Sequence, residues 1–493
     1  MASSEPTKAT SISISLAESR YRWIYGTERP DSYVSGGFHP VCIGDVLKQR
    51  YRIVDKLGYG GYSTVWLAYD GAAGEYVALK IGIAAPRKRG MDVVASEVQA
   101  IKELQGGGAD AGIGAAGDAQ KGRSSNSLQH PGRRLLPTVL DTFQLVGPNG
   151  THTCYTTAPA RDNLRSAVEN RLFPLPVARA LAGGLAQAVA YLHSRGYVHG
   201  DLHLQNVLVA MPPDAADLRL SVDEFYAAHD PPAMASLERC DGQPLTPGVG
   251  DDAGAPPHIV YPFTGWALHA KDYSLADARI TLADFGASFR PDIMDTVTGK
   301  GKIRRGRDCC TPQPMRPLEA RFAPDAPLSY AADVWTLALA LWDLVAMKPV
   351  VSADWASADE VVAQYIDVFG PLPAAWHASP QWREQQALYY DDRGVRRDAD
   401  QVVIWPSLET AFDEGVQKWR RRRRRRQDQE EEEEHAGVFA EDERAAFLDL
   451  MRRMVVYEPE QRLTMSGVLQ SAWMQQWALP AWAEAEAVQG RDR

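Results

Sequence analysis

The residues with the clearest chemical meaning lie in the segment HGDLHLQNVL, which spans 199–208. Asp201 can accept a proton from a hydroxyl group, and Asn206 can offer a side-chain carbonyl oxygen to a magnesium ion. A second carboxylate, Asp284, begins an Asp-Phe-Gly triplet after the strand-like segment RITLA. Carboxylate oxygens are hard ligands that suit a magnesium ion bridging two phosphates. The two segments therefore predict one proton acceptor, Asp201, and two metal ligands, Asn206 and Asp284.

A cluster of glycines at 58–61 separates two strand-like segments. Glycines in such a turn let backbone amides approach phosphate oxygens without obstruction by a Cβ atom. On its own, a glycine pair in a hairpin is more often an ordinary turn. The loop does not precede a helix, which counts against a dinucleotide-binding fold.

Lys80 ends the strand-like segment VALK at 77–80, where its apolar neighbours would bury the side chain. A buried ammonium group needs carboxylate or phosphate partners, and Glu97 on the following helix supplies a carboxylate. Taken alone, a lysine that reaches solvent from an edge strand is the more common case.

The elements that must position these residues follow from the hydrophobic pattern. Segments rich in Val, Ile, Tyr and Trp between glycines at 51–81 predict an antiparallel meander, followed by a helix at 91–104. A long amphipathic helix ends before Gly196, and 332–347 is apolar almost all round, as in a helix buried at the centre of a lobe. We therefore expect an α+β fold of two lobes: a small antiparallel-sheet lobe with one main helix, and a larger, mostly helical lobe.

The composition limits the class of protein. The net charge of −10 argues against a general nucleic-acid binder, and 45% hydrophobic residues allow a sizeable core. The five cysteines are few for 493 residues and lack zinc-ligand spacing, which favours a reducing compartment. The N-terminus lacks the apolar stretch of a signal peptide, and we expect no membrane-spanning segment.

In their order along the chain, these features resemble the protein kinase signature: a glycine-rich loop, a lysine on the third strand, a helix glutamate, H-x-D…N and D-F-G. The resemblance implies ATP and Mg²⁺, with Thr157 as the gatekeeper beside adenine. The implied catalytic residues are Asp201, Lys80, Glu97 and His203. The implied nucleotide contacts are Leu57, Gly58, Gly60, Ser63 in place of the usual third glycine, Val65, Ala78, Lys80, Ala158, Ala160 and Leu208.

Two segments downstream extend the resemblance. Pro317-Leu318-Glu319 stands where kinases have A-P-E, and Arg462 lies in the segment PEQRLT. In the kinase fold this glutamate and arginine form a buried pair, so we expect Glu319 to pair with Arg462.

The start of the chain carries a more specific resemblance. The pattern Y-x-x-G-G-F-H-x-V at 33–41, IGD at 43–45 and G-x-G-x-Y-S-T-V-W at 58–66 lie outside general kinase chemistry. They resemble the SR-protein kinase family, which phosphorylates serines in Arg/Ser-rich splicing factors, and the resemblance covers about 28–475. It implies a non-specific serine/threonine protein kinase that acts in the regulation of mRNA splicing and resides in the cytoplasm and nucleus. The expected partner is a protein substrate, Arg/Ser-rich in this family, with no direct nucleic acid, no membrane and a monomeric chain.

Four departures from the kinase pattern bear on activity. Gly200 replaces an arginine that many kinases neutralise with an activation-loop phosphate, which resembles this family and suggests activity without that phosphate. His203 replaces a lysine that contacts the γ-phosphate, and a neutral imidazole would stabilise the transition state less. Pro312 occupies the slot of a threonine, with Thr311 adjacent. The family docks arginine-rich peptides in an acidic groove, but 342–351 carries Asp343 and little else acidic.

These patterns predict the following organisation: a disordered segment at 1–27, an N-lobe at 28–160 with an insertion at about 106–134, a C-lobe at 161–475, and a tail at 476–493. The C-lobe would carry a spacer-like insertion at about 211–274 and a charged insertion at about 418–436. Within the latter, seven arginines at 420–426 precede glutamates at 430–434. Blocks of like charge do not pack in a core, so we expect a solvated loop or helix extension.

Two alternatives remain open. The segment HGDLHxxN also resembles small-molecule phosphotransferases such as the aminoglycoside and choline kinases, which would explain Gly200 and His203 together. Those enzymes lack the P-L-E segment, the helix that begins near Asp333 and the Arg462 segment. The other alternative is a catalytically impaired scaffold with the kinase fold. Against it, every residue of the expected metal and proton chemistry is present: Lys80, Glu97, Asp201, Asn206 and Asp284.

Overall fold

The computed structural model of the chain describes residues 19–84, 92–106, 130–169, 171–212, 214–291, 303–354, 356–391, 404–421 and 437–491. The chain divides into two compact units. The first comprises the described parts of 1–95, 140–159 and 214–265, and the second those of 96–139, 160–213 and 266–493. Most of the predicted N-terminal segment (1–18) and of the predicted insertion at 106–134 (107–129) lies outside the described residues.

Eleven strands are present in the described residues. They are β1 Val46–Leu47, β2 Tyr51–Gly60, β3 Ser63–Asp70, β4 Glu75–Gly82, β5 Asp141–Gly147, β6 Gly150–Thr157, β7 Ala160–Asn163, β8 Val207–Ala210, β9 Met234–Ser236, β10 His258–Val260 and β11 Ile280–Leu282. The first unit holds an antiparallel sheet with strand order β1-β2-β3-β4-β6-β5. Its period-2 alternation buries one face, as the sequence pattern predicts. That face contains Tyr51, Ile53, Trp66, Ala68, Val77, Leu79, Ile81 and Phe143.

The segment 214–265, most of the predicted spacer-like insertion, groups with the sheet of the first unit. Its helix Val222–His229 begins at a capping box in which Ser221 and Glu224 satisfy each other's backbone amides. Phe225 on this helix lies 5.5 Å from the ring of Tyr76 in β4. Strands β9 and β10 pair, and Val260 of β10 joins the buried core of the sheet. This segment is therefore folded structure that completes the sheet's core.

A buried ion pair joins three parts of the first unit. Lys56 in β2 is 0% exposed and pairs with Glu28, which is 3% exposed. The Lys56 ammonium also donates to the carbonyl oxygen of Val260 at 3.1 Å. The hydroxyl of Tyr33 donates to the other Glu28 oxygen at 2.6 Å. The N-terminal segment, β2 and β10 thus share one charge network at the strand that leads into the glycine-rich turn.

A second pair of buried polar groups lies at the sheet's other edge. The rings of His39 and His152 have centroids 4.9 Å apart. His152 Nδ1 donates to the carbonyl oxygen of Gly82 at 2.8 Å, since a carbonyl can only accept. Burial, and then the neighbouring His152, lowers the pKa of His39 to about 4. Burial also lowers the pKa of His152, so both rings are neutral at pH 7.

The second unit is mostly helical and contains a three-stranded sheet of order β11-β8-β7. The helix Val93–Leu104 continues into it from the first unit. Its other α-helices are Leu164–Ala167, Leu175–Ser194, Glu319–Phe322, Tyr330–Val345, Ala358–Phe369, Pro380–Tyr389, Leu408–Phe412, Lys418–Arg420, Glu441–Met454, Met465–Leu469 and Leu479–Arg491.

Two apolar helices, Leu175–Ser194 and Tyr330–Val345, form the core of this unit. Among the helices described, Leu175–Ser194 is long and apolar enough to cross a membrane by length and composition. Its most apolar window is 83% buried inside the structure, as the central helix of a folded core requires.

The expectation that the arginine run is solvated is wrong for its first residue. Arg420 ends the helix Lys418–Arg420 and is 1% exposed. Its guanidinium donates to the carbonyl oxygens of Val345 at 3.0 Å and Phe173 at 3.2 Å. Val345 ends an α-helix, where carbonyls lack partners and the helix dipole is negative, so the position attracts a cation. Burial lowers the pKa of Arg420 to about 9. Residues 422–426 and 430–434 lie outside the described residues.

We expect Lys56→Met to lower the free energy of unfolding by about 3–5 kcal/mol, because it leaves the Glu28 carboxylate buried without its cation. The double variant Glu28→Gln/Lys56→Met removes both charges and should regain most of that loss. Urea unfolding of the two variants and the wild type measures the difference. Equal stability of the single and double variants would contradict a coupled pair.

Acidification from pH 7 to pH 5 should destabilise the first unit. An unfolded histidine takes up a proton near pH 6.5, whereas folded His39 does so only at about pH 4, so the unfolded state binds more protons in this window. Each such ring lowers the free energy of unfolding by about 2 kcal/mol between these pH values. Urea unfolding of His39→Phe at both pH values should show a smaller difference than the wild type. An undiminished difference would exclude His39 as a source.

Candidate active site

The predicted catalytic loop is fixed by one buried carboxylate. Asp333 lies in the first turn of the helix Tyr330–Val345 and is 1% exposed. It accepts hydrogen bonds from the backbone amides of His199 at 2.7 Å and Gly200 at 3.0 Å. His193 Nε2 lies 3.0 Å from the same carboxylate. Burial alone would raise the pKa of Asp333, but the contacts with His193 and the Gly200 amide hold it below its usual value.

Asp201, His203 and Asn206 lie together within this loop. The Asn206 amide nitrogen donates to the Asp201 carbonyl oxygen at 2.8 Å and lies 3.3 Å from His203 Nε2. The same His203 nitrogen is 3.6 Å from Asp201 Oδ1, beyond a normal hydrogen bond. Asp201 Oδ1 is buried and accepts no hydrogen bond from the residues that the structure describes. It is therefore a carboxylate oxygen with its lone pairs available to an incoming hydroxyl.

Asp284 follows β11 and is tied to the same loop through the backbone. The amide of Ala283 donates to the carbonyl oxygen of Asn206 at 2.8 Å. His199 Nε2 lies 3.0 Å from the Ala283 carbonyl oxygen, so the loop is bonded to the β11 end twice. Asp284 has φ 63° and ψ 72°, the left-handed region that costs energy for any residue but glycine and is frequent at functional sites.

The two predicted metal ligands fit magnesium in kind. The Asn206 amide nitrogen is engaged by Asp201, and within the described residues its Oδ1 accepts no hydrogen bond. Asp284 supplies a carboxylate next to it along the chain of backbone bonds. No cluster of three or more His, Cys, Asp or Glu side chains with metal-site geometry occurs among the residues described. An amide oxygen and a carboxylate leave most of an octahedral shell to phosphate and water, which is how magnesium is usually bound.

Glu97 also meets this region. Its side chain is 1% exposed, and Oε1 accepts a hydrogen bond from the backbone amide of Phe285 at 3.2 Å. The helix glutamate therefore touches the Asp-Phe-Gly triplet. Lys80 belongs to the first unit and Glu97 to the second, and their pairing stays a prediction.

In the first unit, the glycine-rich turn joins β2 to β3 with Gly58 opposite Val65 and Gly60 opposite Ser63. A Cβ atom added at Gly58, Gly60 or Gly61 would meet nothing within 4 Å. Packing therefore does not require glycine there, and the turn has open space beside its backbone.

The remaining predicted nucleotide contacts have defined places in the strands. Val65 pairs with Lys80 across β3 and β4, and Ala78 pairs with Thr157 of β6. Leu57 lies in β2, Ala158 directly follows β6, Ala160 begins β7 and Leu208 lies in β8. The first four of these elements belong to the first unit with Ala158, and β7 and β8 to the second. The role of these residues in nucleotide binding stays a prediction.

The expected buried pair downstream is present. Arg462 donates two hydrogen bonds of 2.9 Å to the two carboxylate oxygens of Glu319. Their side chains are 0% and 7% exposed. A bidentate, enclosed pair of this kind fixes the end of the activation segment to the helical core.

Sequence analysis missed the role of Thr311. The expected slot holds Pro312, yet the Thr311 hydroxyl donates to the carbonyl oxygen of Gly200 at 3.1 Å, and Thr311 is 2% exposed. The threonine one residue earlier thus contacts the catalytic loop. The adjacent threonine was the one available signal, but only the backbone path of the activation segment shows which carbonyl it reaches.

Known proteins were compared with the chain. No protein-family model matches it. It is 33% identical over 193 residues to Protein kinase dsk1 of Schizosaccharomyces pombe, covering 38% of this chain and 32% of that protein. It is 28% identical over 216 residues to SRSF protein kinase 3 of Homo sapiens, covering 43% of this chain and 34% of that protein. These two matches span about a third of each relative's length.

A longer match has lower identity. A serine/threonine protein kinase of Aspergillus fumigatus is 24% identical over 459 residues, which cover 91% of this chain and 90% of that protein. A crystal structure of a kinase domain matches with a TM-score of 0.53 and 13% sequence identity, covering 89% of this chain and 98% of that one. The expected bilobal protein kinase fold, of the α+β class, is therefore confirmed. The resemblance to the SR-protein kinase family is confirmed as well.

Asp333→Asn should lower kcat by roughly 10- to 100-fold while nucleotide affinity changes little, because misplacing a reacting group by about 1 Å costs this much. One amide group of asparagine faces donors that the carboxylate satisfied, so the loop loses its fixed position. Steady-state kinetics and nucleotide binding measure the two effects, with Asp449→Asn on the exposed surface as the control. Unchanged kcat would show that the loop does not depend on this carboxylate.

Proposed function

We infer that this divergent relative of the SR-protein kinases is an ATP-dependent protein kinase that transfers the γ-phosphoryl group to serine and threonine hydroxyls of proteins. The observation that carries the inference is the state of Asp201. Its Oδ1 is buried without a hydrogen-bond donor in the described part of the chain, in a loop that Asp333 and Asn206 hold rigid. A desolvated carboxylate with an open lone pair is suited to receive a hydroxyl proton.

In the proposed reaction, the substrate hydroxyl donates a hydrogen bond to Asp201 Oδ1. The hydroxyl oxygen forms a bond to the γ-phosphorus as the bond from that phosphorus to the β–γ bridging oxygen breaks. The proton passes to Asp201, and ADP leaves with the bridging oxygen. Phosphoryl transfer of this type depends on positioning and charge stabilisation more than on covalent chemistry with the protein.

Asn206 and Asp284 are the residues that would hold magnesium, which neutralises charge on the phosphates when bound. Lys80, paired with Glu97, would hold the α- and β-phosphates. The open turn at Gly58–Gly61 gives the phosphates access to backbone amides, because a Cβ added at these glycines would meet no other atom nearby.

His203 has neighbours that suggest a positioning role. Its Nε2 lies 3.3 Å from the Asn206 amide nitrogen and 3.6 Å from Asp201 Oδ1. Where kinases usually place a lysine toward the γ-phosphate, this imidazole lies against the two residues that act on the hydroxyl and the metal ion. We propose that it keeps their side chains in place.

The finer parts of the proposal rest on the family resemblance alone. They are a non-specific serine/threonine acceptor range, substrates with Arg/Ser-rich segments, a monomeric chain, and residence in the cytoplasm and nucleus. The enclosed pair of Glu319 and Arg462 favours a protein kinase over a small-molecule phosphotransferase, because it closes an activation segment that the latter enzymes lack.

Asp201→Asn should lower kcat by roughly 100- to 10,000-fold, because an amide has the same shape but cannot take the proton. Nucleotide affinity should stay within about threefold, since the change removes no proposed phosphate contact. Phosphate transfer from ATP and magnesium to an arrayed serine/threonine peptide library gives the rate, and calorimetry gives the affinity.

Asp272→Asn, an exposed carboxylate elsewhere in the second unit, is the matched control. Near-wild-type turnover of Asp201→Asn would refute the role of Asp201. Nucleotide binding without transfer to any peptide by the wild type would favour the impaired scaffold instead.

A further inference from the structure

A cavity of about 230 Å³ lies in the second unit beside the catalytic loop. His203 and Leu204 of that loop form one side, and Pro314 and Met315 of the activation segment form another. Leu339 of the helix Tyr330–Val345 and Val350 complete an apolar wall. The cavity therefore adjoins the residue next to Asp201 and the segment that positions a substrate chain in the proposed reaction.

Asp343 lines this cavity and differs from the other aspartate of its helix. Asp333, ten residues earlier, is satisfied by two backbone amides and His193. The Asp343 carboxylate makes no hydrogen bond or ion pair with the described residues. Burial raises the pKa of Asp343 to about 6, and only the more distant charge of Arg165 acts against this rise. A desolvated carboxylate without a partner is costly unless a ligand supplies one.

The charged groups around the cavity leave a small negative balance. Asp343 and Asp354 contribute two negative charges, and Arg165 contributes one positive charge. His203 is the other titratable side chain in the lining, and Lys348 is exposed one residue before the wall residue Pro349. One added cation neutralises the lining, whereas a second would meet Arg165 and Lys348 without a free carboxylate to offset it.

We propose that this cavity binds one cationic side chain, arginine or lysine, of the peptide substrate, with Asp343 as its charge partner. The apolar wall would cover the methylene stem while the charged end reaches the carboxylate. The proposal rests on the kinase function inferred above and names the substrate feature that the site selects. It departs from the expected docking of an arginine run, because the cavity has one open carboxylate and flanking cations.

The test uses the full-length chain with ATP, magnesium and synthetic peptides that contain one serine in an alanine–glycine background. One arginine is moved through each position near the serine, glutamine replaces it in the neutral peptide, and glutamate replaces it in the acidic peptide. A last set carries arginines at several positions. At one position, arginine should raise kcat/KM about 10- to 100-fold over glutamine, as expected for a charge-assisted hydrogen bond in a desolvated site.

Asp343→Asn should reduce this arginine-to-glutamine ratio to about threefold or less, and Asp449→Asn, the surface control, should leave the ratio unchanged. Arg165→Gln should raise kcat/KM for the arginine peptide, because it removes a competing cation. Arg165 is exposed, so this variant also provides a reading if Asp343→Asn does not fold.

Each other outcome overturns the proposal. Equal kcat/KM for arginine and glutamine peptides, a preference for glutamate, or a further tenfold gain from additional arginines would exclude a single-cation site. An undiminished ratio in Asp343→Asn, or no gain in Arg165→Gln, would exclude these residues as its charge partners. In all these cases phosphate transfer to peptides still supports the kinase, whereas bound nucleotide without transfer to any peptide would refute the kinase function itself.

Discussion

The hydrogen bonds that Asp333 accepts are the constraint on which the candidate site depends. A carboxylate inside the helical core, 1% exposed, would be unfavourable without donors, and the backbone amides of His199 and Gly200 are the donors it has. The energetic requirement works in both directions. The helix Tyr330–Val345 can bury its aspartate only if the loop takes this path, and the loop can hold Asp201 rigid only because the helix is there.

Other buried charges act in the same way across long stretches of sequence. Glu28 and Lys56 join the N-terminal segment to β2, Glu319 and Arg462 join the activation segment to the helical core, and Arg420 covers the end of an apolar helix. Such pairs add little net stability compared with apolar packing, but removing one partner leaves an unpaired charge. They therefore exclude alternative arrangements of the segments they join more than they stabilise the observed one.

The two aspartates of one helix illustrate the difference between structural and recognition roles. Asp333 has its hydrogen-bonding capacity filled by the chain itself, and its pKa lies below the usual value. Asp343 faces a cavity with apolar walls, has no such donors among the described residues, and has a pKa near 6. The same side chain, ten residues along one helix, is in one place part of the scaffold and in the other available to a ligand.

The sequence by itself determined the kinase fold and the elements that carry Asp201, Asn206 and Asp284, because these depend on local spacing and on hydrophobic periodicity. It also predicted the pairing of Glu319 with Arg462, through resemblance. The tertiary structure alone decided that Thr311 reaches the Gly200 carbonyl, that Arg420 is buried, and that 214–265 completes the core of the first unit. These features depend on which backbone groups from distant parts of the chain are left without partners. A run of arginines looks solvated by composition, but a helix end with open carbonyls in the core provides one of them with a buried site.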